Sequence, residues 1–149
     1  MLKGLFITDT KCTQEFGENP ANYARFGLKG HEGVDLVPDG ITWGVHALER
    51  GVVVLDDDDG DERGSAYGVS VRVQNDRGRV LLYAHMSENC VELKQVVEKG
   101  QLIGIMGNTG NSHGAHVHLS VYMVSASGER LAYDNGYKGM RDPSKEIFD

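Results

Sequence analysis

Apolar and polar residues alternate along this 149-residue chain in short runs, and no stretch keeps a helical period for more than about two turns. Val69-Ser-Val-Arg-Val-Gln74 repeats with period two, Asn75-Asp-Arg-Gly78 supplies a turn, and Arg79-Val-Leu-Leu-Tyr-Ala-His-Met86 returns. That pattern predicts a β-hairpin ending at His85. Trp43 to Leu55 is rich in β-branched residues and breaks at Gly51, which predicts two short strands leading into the acidic run Asp56 to Asp59. Gly100-Gln-Leu-Ile-Gly-Ile-Met106 predicts another strand, whereas Asn89 to Lys99 is mixed. The first thirty residues alternate weakly and break at Gly17-Glu-Asn-Pro20, predicting a short strand followed by an ordered loop. Beyond Tyr122 the tail is polar, and its expected anchors are Leu131, Tyr133 and Phe148. Together these elements predict an all-β chain, with short helical turns at most and no internal repeat.

Length and composition place residues 1–149 in a single domain, able to bury about two thirds of its unfolded surface around one core. Twenty glycines are nearly twice the usual share of about 7%, which implies many tight turns and close backbone contacts. The formal charge of -7, without a Lys/Arg cluster, argues against nucleic acid and against an anionic membrane. The chain turns polar after Ile7, too soon for a signal h-region or a membrane span. A substrate outside the cell then requires a trimmed leader or delivery by another agent. Cys12 and Cys90 form no C-x-x-C pair, so they offer neither a zinc knuckle nor a redox motif, and buried thiols are expected in preference to a disulfide. The acidic run fails as a calcium loop, because Leu55 and Ala66 stand where ligands are required, and it reads as a solvated hairpin tip.

The candidate chemistry lies in Gly104 to Tyr122, where a glycine-punctuated loop runs into a strand carrying His116 and His118. Residues two apart on a strand share a face, roughly 6 to 7 Å apart, so both imidazoles look into one space. Upstream stands His31-Glu-Gly-Val-Asp35. Gly30, Gly33 and Pro38 argue against a helix there, and on an extended strand His31 and Asp35 would be about 13 Å apart, too far for one metal. A bend at Gly33 is therefore required. Two histidines and a carboxylate make a catalytic zinc shell with a fourth position for water, and a further imidazole can move a proton or bond the developing oxyanion. Spacing leaves open which of His116 and His118 touches the metal. His85 stands at a strand end, His46 reads as structural, and His113 as a loop residue lining the site. The facial triad of a non-haem iron oxygenase uses the same donor types, but there the first histidine and the acid usually stand two residues apart, and here the gap is four.

These residues carry a family resemblance. His31-Glu-Gly-Val-Asp35 matches H-x-G-x-D, Tyr83-Ala-His85 matches Y-x-H, and Gly107-Asn-Thr-Gly-Asn-Ser-His-Gly-Ala-His-Val-His118 matches G-x-T-G-x-S-x-G-x-H-x-H. In this order, over about residues 27–124, the chain resembles the lysostaphin-type (LytM-like) zinc metallopeptidases. The resemblance implies an antiparallel, barrel-sandwich-like β-fold with an open active-site groove. It implies one Zn2+ per chain held by His31, Asp35 and His118, with His85 and His116 as the catalytic pair. The reaction it implies is hydrolysis of peptide bonds in bacterial peptidoglycan stems or cross-bridges, with zinc-bound water as nucleophile. Such an enzyme acts on the cell wall, as a phage lysin, a virion-associated enzyme or a trimmed secreted protein. Degenerate members of the family form non-catalytic grooves that bind wall peptide or protein and have typically lost ligands, whereas this chain keeps all five residues. Leu119 and Ser120 depart from the aromatic and glutamate that often follow the H-x-H pair, and Met86 from a frequent leucine.

Overall fold

The computed structural model describes residues 3–57 and 66–147. Among the described residues nine strands run β1 (Thr10–Gln14), β2 (Val34–Pro38), β3 (Gly44–His46), β4 (Gly51–Asp57), β5 (Val69–Gln74), β6 (Arg79–Asn89), β7 (Val96–Val97), β8 (Leu102–Met106) and β9 (Val117–Met123). Two one-turn helices, α1 (Pro20–Tyr23) and α2 (Pro143–Glu146), and a 3-10 turn at Ala24–Phe26 complete the order. The sheet runs β1-β2-β9-β6-β5-β4-β7, with β8 joining β6 to β3. Every pairing is antiparallel, in agreement with the fold class expected from the sequence. No described helix is long and apolar enough to cross a membrane.

The period-two hairpin forms where the pattern places it. Asn75 turns the chain by accepting at Oδ1 from the backbone N–H groups of Arg77 and Arg79, both at 2.9 Å, while Gly78 takes a φ of 82°. Strands β6 and β9 are central and buried on both faces. Leu81, Tyr83, Val117, Leu119 and Val121 point into the main core with Leu5, Leu36, Val53, Val71 and Ile103. On the other face, Val80, Leu82 and Tyr122 form a smaller cluster with Met140, covered in part by Phe16, Tyr67 and Tyr137. Burying a side chain of this size is worth about 1.5–3 kcal/mol, so these two strands dominate the stability of the sheet.

Four expectations are corrected. Strand β6 does not end at His85; it changes partner there, from β9 at Ala84 to β8 at Met86, and continues to Asn89. Leu131 and Tyr133 do not anchor the tail, being 47% and 58% exposed. Met140 does so, and Asp142 starts α2 by accepting from the Ser144 N–H at 3.0 Å. Cys12 and Cys90 are free thiols as expected, but exposed rather than buried. The loop after Pro20 contains α1 and the 3-10 turn, because Pro20 at the first helical position presets φ for a helix. Phe148 and the tip of the acidic run beyond Asp57 lie outside the described residues.

Candidate metal centre

The site forms on the sheet face opposite the main core. His118 on β9 stands directly across from Asp35 on β2 and from Ala84 on β6. Alternation along β9 turns His118, Ser120 and Tyr122 away from Val117, Leu119 and Val121. His31 reaches the same spot because the chain bends at Glu32 and Gly33 before entering β2. The bend is the one required by the sequence, but glycine serves a different need than free φ. A Cβ on Gly33 would lie 2.3 Å from the Leu119 carbonyl oxygen and 2.8 Å from the His118 ring, so only glycine lets the segment pass this close over β9.

Three donor atoms converge. His31 Nε2 is 3.1 Å from Asp35 Oδ1, His118 Nδ1 is 3.0 Å from the same oxygen, and the two nitrogens are 3.0 Å apart. A tetrahedral zinc shell with bonds of about 2.0–2.2 Å spaces its donors by about 3.3–3.6 Å, so this triangle lies within a few tenths of an ångström of one. The far nitrogen of His31, Nδ1, faces the Glu15 carbonyl at 3.3 Å and donates to it, which leaves Nε2 as a lone pair. Two buried lone pairs and a carboxylate oxygen pointed at one another fit a cation. Burial works against the charge on Asp35, but His116, whose Nε2 faces the same oxygen, leads the neighbours that outweigh it, and the carboxyl lies well below the usual carboxylate range. Glu32 belongs to the same cluster, its carboxylate lying within 4.8 Å of the His31 and His118 nitrogens. Its Oε1, however, is 3.3 Å from His118 Nε2, the nitrogen turned away from the triangle.

His85 and His116 stand beside the triangle with their rings 4.9 Å apart. His85 has a φ of 62°, rare for a residue with a Cβ. Plain alternation would point it with Tyr83 into the core; the left-handed turn at the change of partner brings its ring 5.9 Å from that of His118 instead. Its Nδ1–H donates to the Thr109 carbonyl at 2.7 Å, and burial lowers its pKa to about 4. His116 Nδ1–H donates to the Gly114 carbonyl at 2.7 Å, and its Nε2 faces Asp35 Oδ1 at 3.5 Å. Burial opposes its protonation, but the Asp35 carboxylate and the Gly114 carbonyl prevail and raise its pKa.

A model of peptidase family M23 matches residues 29–131, a span that contains all five of these side chains. The chain belongs to peptidase family M23. Among relatives of this M23 chain, an uncharacterized metalloprotease of Haemophilus influenzae is 27% identical over 118 residues, covering 76% of this chain and 23% of that protein. The DD-carboxypeptidase/endopeptidase Mpg of Neisseria meningitidis serogroup B is 32% identical over 126 residues, covering 74% of this chain and 28% of that protein. The chain thus spans about a quarter of the length of these curated relatives. The catalytic domain of the antimicrobial peptidase lysostaphin from Staphylococcus simulans superposes with a TM-score of 0.69 at 24% identity, covering 92% of this chain and 91% of that one, and shows the shared fold.

In this M23 chain the site opens into a groove of about 1160 Å³, walled by Tyr23, Phe26, Tyr67, His113, Arg130 and Lys138 among others. His113 is an exposed wall residue, as the sequence suggested, and His46 bonds the Gly100 carbonyl at 3.0 Å on β3. Sequence reasoning missed Glu32, Thr109, Ser120 and Tyr67. Thr109 ties the glycine loop down by donating to the Met86 carbonyl at 2.6 Å and accepting from the Val69 N–H at 3.0 Å. Beside it Gly110, with a φ of 74°, passes so near Gly68 that a Cβ would lie 2.4 Å from that residue's nitrogen. Tyr67 stacks 5.6 Å from the His118 ring, and its backbone carbonyl accepts from the His85 N–H at 2.8 Å. Ser120 shares the face of His118 and was legible as an i, i+2 neighbour, and Glu32 sits inside the H-x-G-x-D motif. For Tyr67 nothing in the sequence pointed to the site.

Proposed function

We propose that this chain is a zinc-dependent endopeptidase that hydrolyses peptide bonds in the stems or cross-bridges of bacterial peptidoglycan. One Zn2+ is held by His31, Asp35 and His118, and His85 and His116 are the catalytic pair. The observation that carries the reading is the triangle of His31 Nε2, Asp35 Oδ1 and His118 Nδ1, with edges of 3.0 to 3.1 Å. When bound, zinc supplies a Lewis acid and a water of lowered pKa at this position. The other work falls to the chain. His85 is neutral above about pH 4, and with Nδ1–H given to Thr109 it offers its Nε2 lone pair to accept a proton. His116, biased towards its charged form by Asp35, donates from Nε2 to the oxyanion that develops on the scissile carbonyl. Gly33 and Thr109 fix the two segments that bring these groups together.

Family membership supports a peptidase, and the name of the Neisseria relative supports a DD-linked peptide as substrate. The presence of all five groups in one recess favours catalysis over a binding-only groove. The place of action is the bacterial cell wall. The test is digestion of purified peptidoglycans that differ in cross-bridge chemistry, with the new amino termini identified by mass spectrometry. New termini from at least one wall type, dependent on zinc, are expected. No new terminus from any wall type with a zinc-loaded protein would overturn the proposal.

A further inference from the structure

His118 turns one nitrogen towards Asp35 and His31 and the other into a small, largely buried pocket at the edge of the groove. In that pocket Ser120 Oγ lies 2.6 Å from His118 Nε2 and 3.1 Å from the Glu32 carbonyl oxygen. The Glu32 carboxylate completes it, with Oε1 3.3 Å from the same Nε2. Ser120 is 0% exposed, His118 2% and Glu32 9%, so these contacts are largely shielded from water. Glu32 pairs with no lysine or arginine among the described residues, and His118 is the partner its carboxylate has.

Proton counting gives this pocket a direction. A serine hydroxyl holds one proton, and a carbonyl only accepts. If Ser120 donated to His118 Nε2, the Glu32 carbonyl would lose its partner and the Glu32 carboxylate would face a nitrogen lone pair across 3.3 Å. If Ser120 donates to the carbonyl, it can accept only from Nε2–H, and the carboxylate attracts that same proton. The second arrangement satisfies Ser120, the Glu32 carbonyl and the Glu32 carboxylate, and leaves the Asp35 oxygen and the two nitrogens that face it to a cation. It leaves the ring's lone pair on Nδ1, aimed at Asp35 and His31, which is the form a metal ligand requires.

Resting on the reading of His118 as a metal ligand, we propose that Glu32 is a positioning residue whose buried carboxylate, with the Ser120 hydroxyl, fixes the Nε2–H tautomer of His118 and so sets the affinity of the site for metal. The bend that delivers His31 to the triangle also delivers Glu32 to the back of His118. One short segment therefore supplies one ligand and orients another from the far end of the fold.

The test measures zinc affinity of the full chain by competition with a chromophoric chelator, alongside the melting temperature of each metal-free protein. Glu32→Gln keeps the shape of the side chain but adds an amide that can donate to Nε2, favouring the wrong tautomer. It is expected to weaken zinc binding by about 10- to 100-fold, the usual worth of such an outer partner. Glu32→Ala should lose less than Glu32→Gln, Ser120→Ala less again because Glu32 still accepts the proton, and Glu32→Asp should retain most of the affinity. The metal-free melting temperatures of these variants should stay close to wild type. Wild-type zinc affinity in both Glu32→Gln and Glu32→Ala would overturn the inference, as would an affinity loss matched by a fall in metal-free melting temperature. A wild-type chain that binds no zinc at all would instead overturn the metal-site reading beneath it.

Discussion

His85 and His118 carry the same ring a few ångströms apart, yet their partners place the proton on opposite nitrogens. The Thr109 carbonyl takes Nδ1–H from His85, whereas Ser120 and Glu32 take Nε2–H from His118. One ring is left to bind from Nδ1, the other to act from Nε2. Substitutions should separate these duties. His118→Ala and Asp35→Ala should lose zinc and activity together. His85→Ala and His116→Ala should keep close to one zinc per chain while turnover falls by roughly 10² to 10⁴, the usual worth of a positioned acid or base. Zinc content and cleavage rate, measured side by side, decide it; a zinc-free His116→Ala with a zinc-bound, merely slow His118→Ala would reverse the assignment along β9. The pKa of His85 gives a second expectation. Burial lowers it to about 4, below the ordinary value near 6.5, so between these values the unfolded chain binds the extra proton. The contribution of His85 to stability is then complete above about pH 6.5 and drains away as the pH falls towards 4. The melting temperature of the metal-free protein should drop through that window, and more shallowly in His85→Gln.

Among the elements, β2, β6 and β9 position the site, and two glycines control how closely other segments approach them. Gly33→Ala would push its new Cβ against the Leu119 carbonyl and the His118 ring, forcing β2 off β9 where Asp35 meets His118. A cost of about 1–3 kcal/mol is expected, as for other overpacking changes, together with weakened zinc binding. Gly110→Ala should cost a similar amount through its positive φ and its contact with Gly68, but should spare the triangle and lower turnover by loosening Thr109 from His85. Urea unfolding together with zinc content separates the two; equal zinc loss in both variants would contradict the division. The strands themselves were legible, because alternation over Val69–Gln74 reports faces directly and the apolar run Val80–Tyr83 after the Asn75–Gly78 turn reports the returning strand. So was the pairing of His31 with Asp35, since no regular backbone could join them without a bend. The course of β6 past His85 was not legible, because a left-handed residue at a change of partner breaks the period that a pattern relies on. Ser120 was visible only as a departure after the H-x-H pair and Glu32 only as a motif position, because a hydroxyl and a carboxylate gain meaning from which nitrogen they face. The tail was misread because Leu131 and Tyr133 outrank Met140 in bulk, while the Arg141 N–H bond to the Val121 carbonyl at 2.8 Å decides what lies against β9.

In the molecule as a whole, a charge of -7 surrounds a groove whose walls include Arg25, Arg130 and Lys138. The donors at its floor are drawn from distant parts of the chain, with His31 and His118 separated by 87 positions and Asp35 and His118 by 83. Whatever binds the folded site and not the unfolded chain stabilises the fold by mass action, about 4 kcal/mol at a thousandfold excess over the dissociation constant. Stripping the metal with a chelator should therefore lower the melting temperature by several degrees, and returning zinc should restore it. An unchanged melting temperature would mean that the triangle is not where zinc binds. The separation in sequence also has a kinetic side. A site that needs both β2 and β9 in register is complete only after the long excursion between them has closed, so it is absent from an early folding barrier. Interactions of that kind slow escape from the native state without hastening arrival. In stopped-flow experiments zinc should slow unfolding by about the full equilibrium gain and leave refolding almost untouched, so that an ion bound there would also be a latch on the lifetime of the fold.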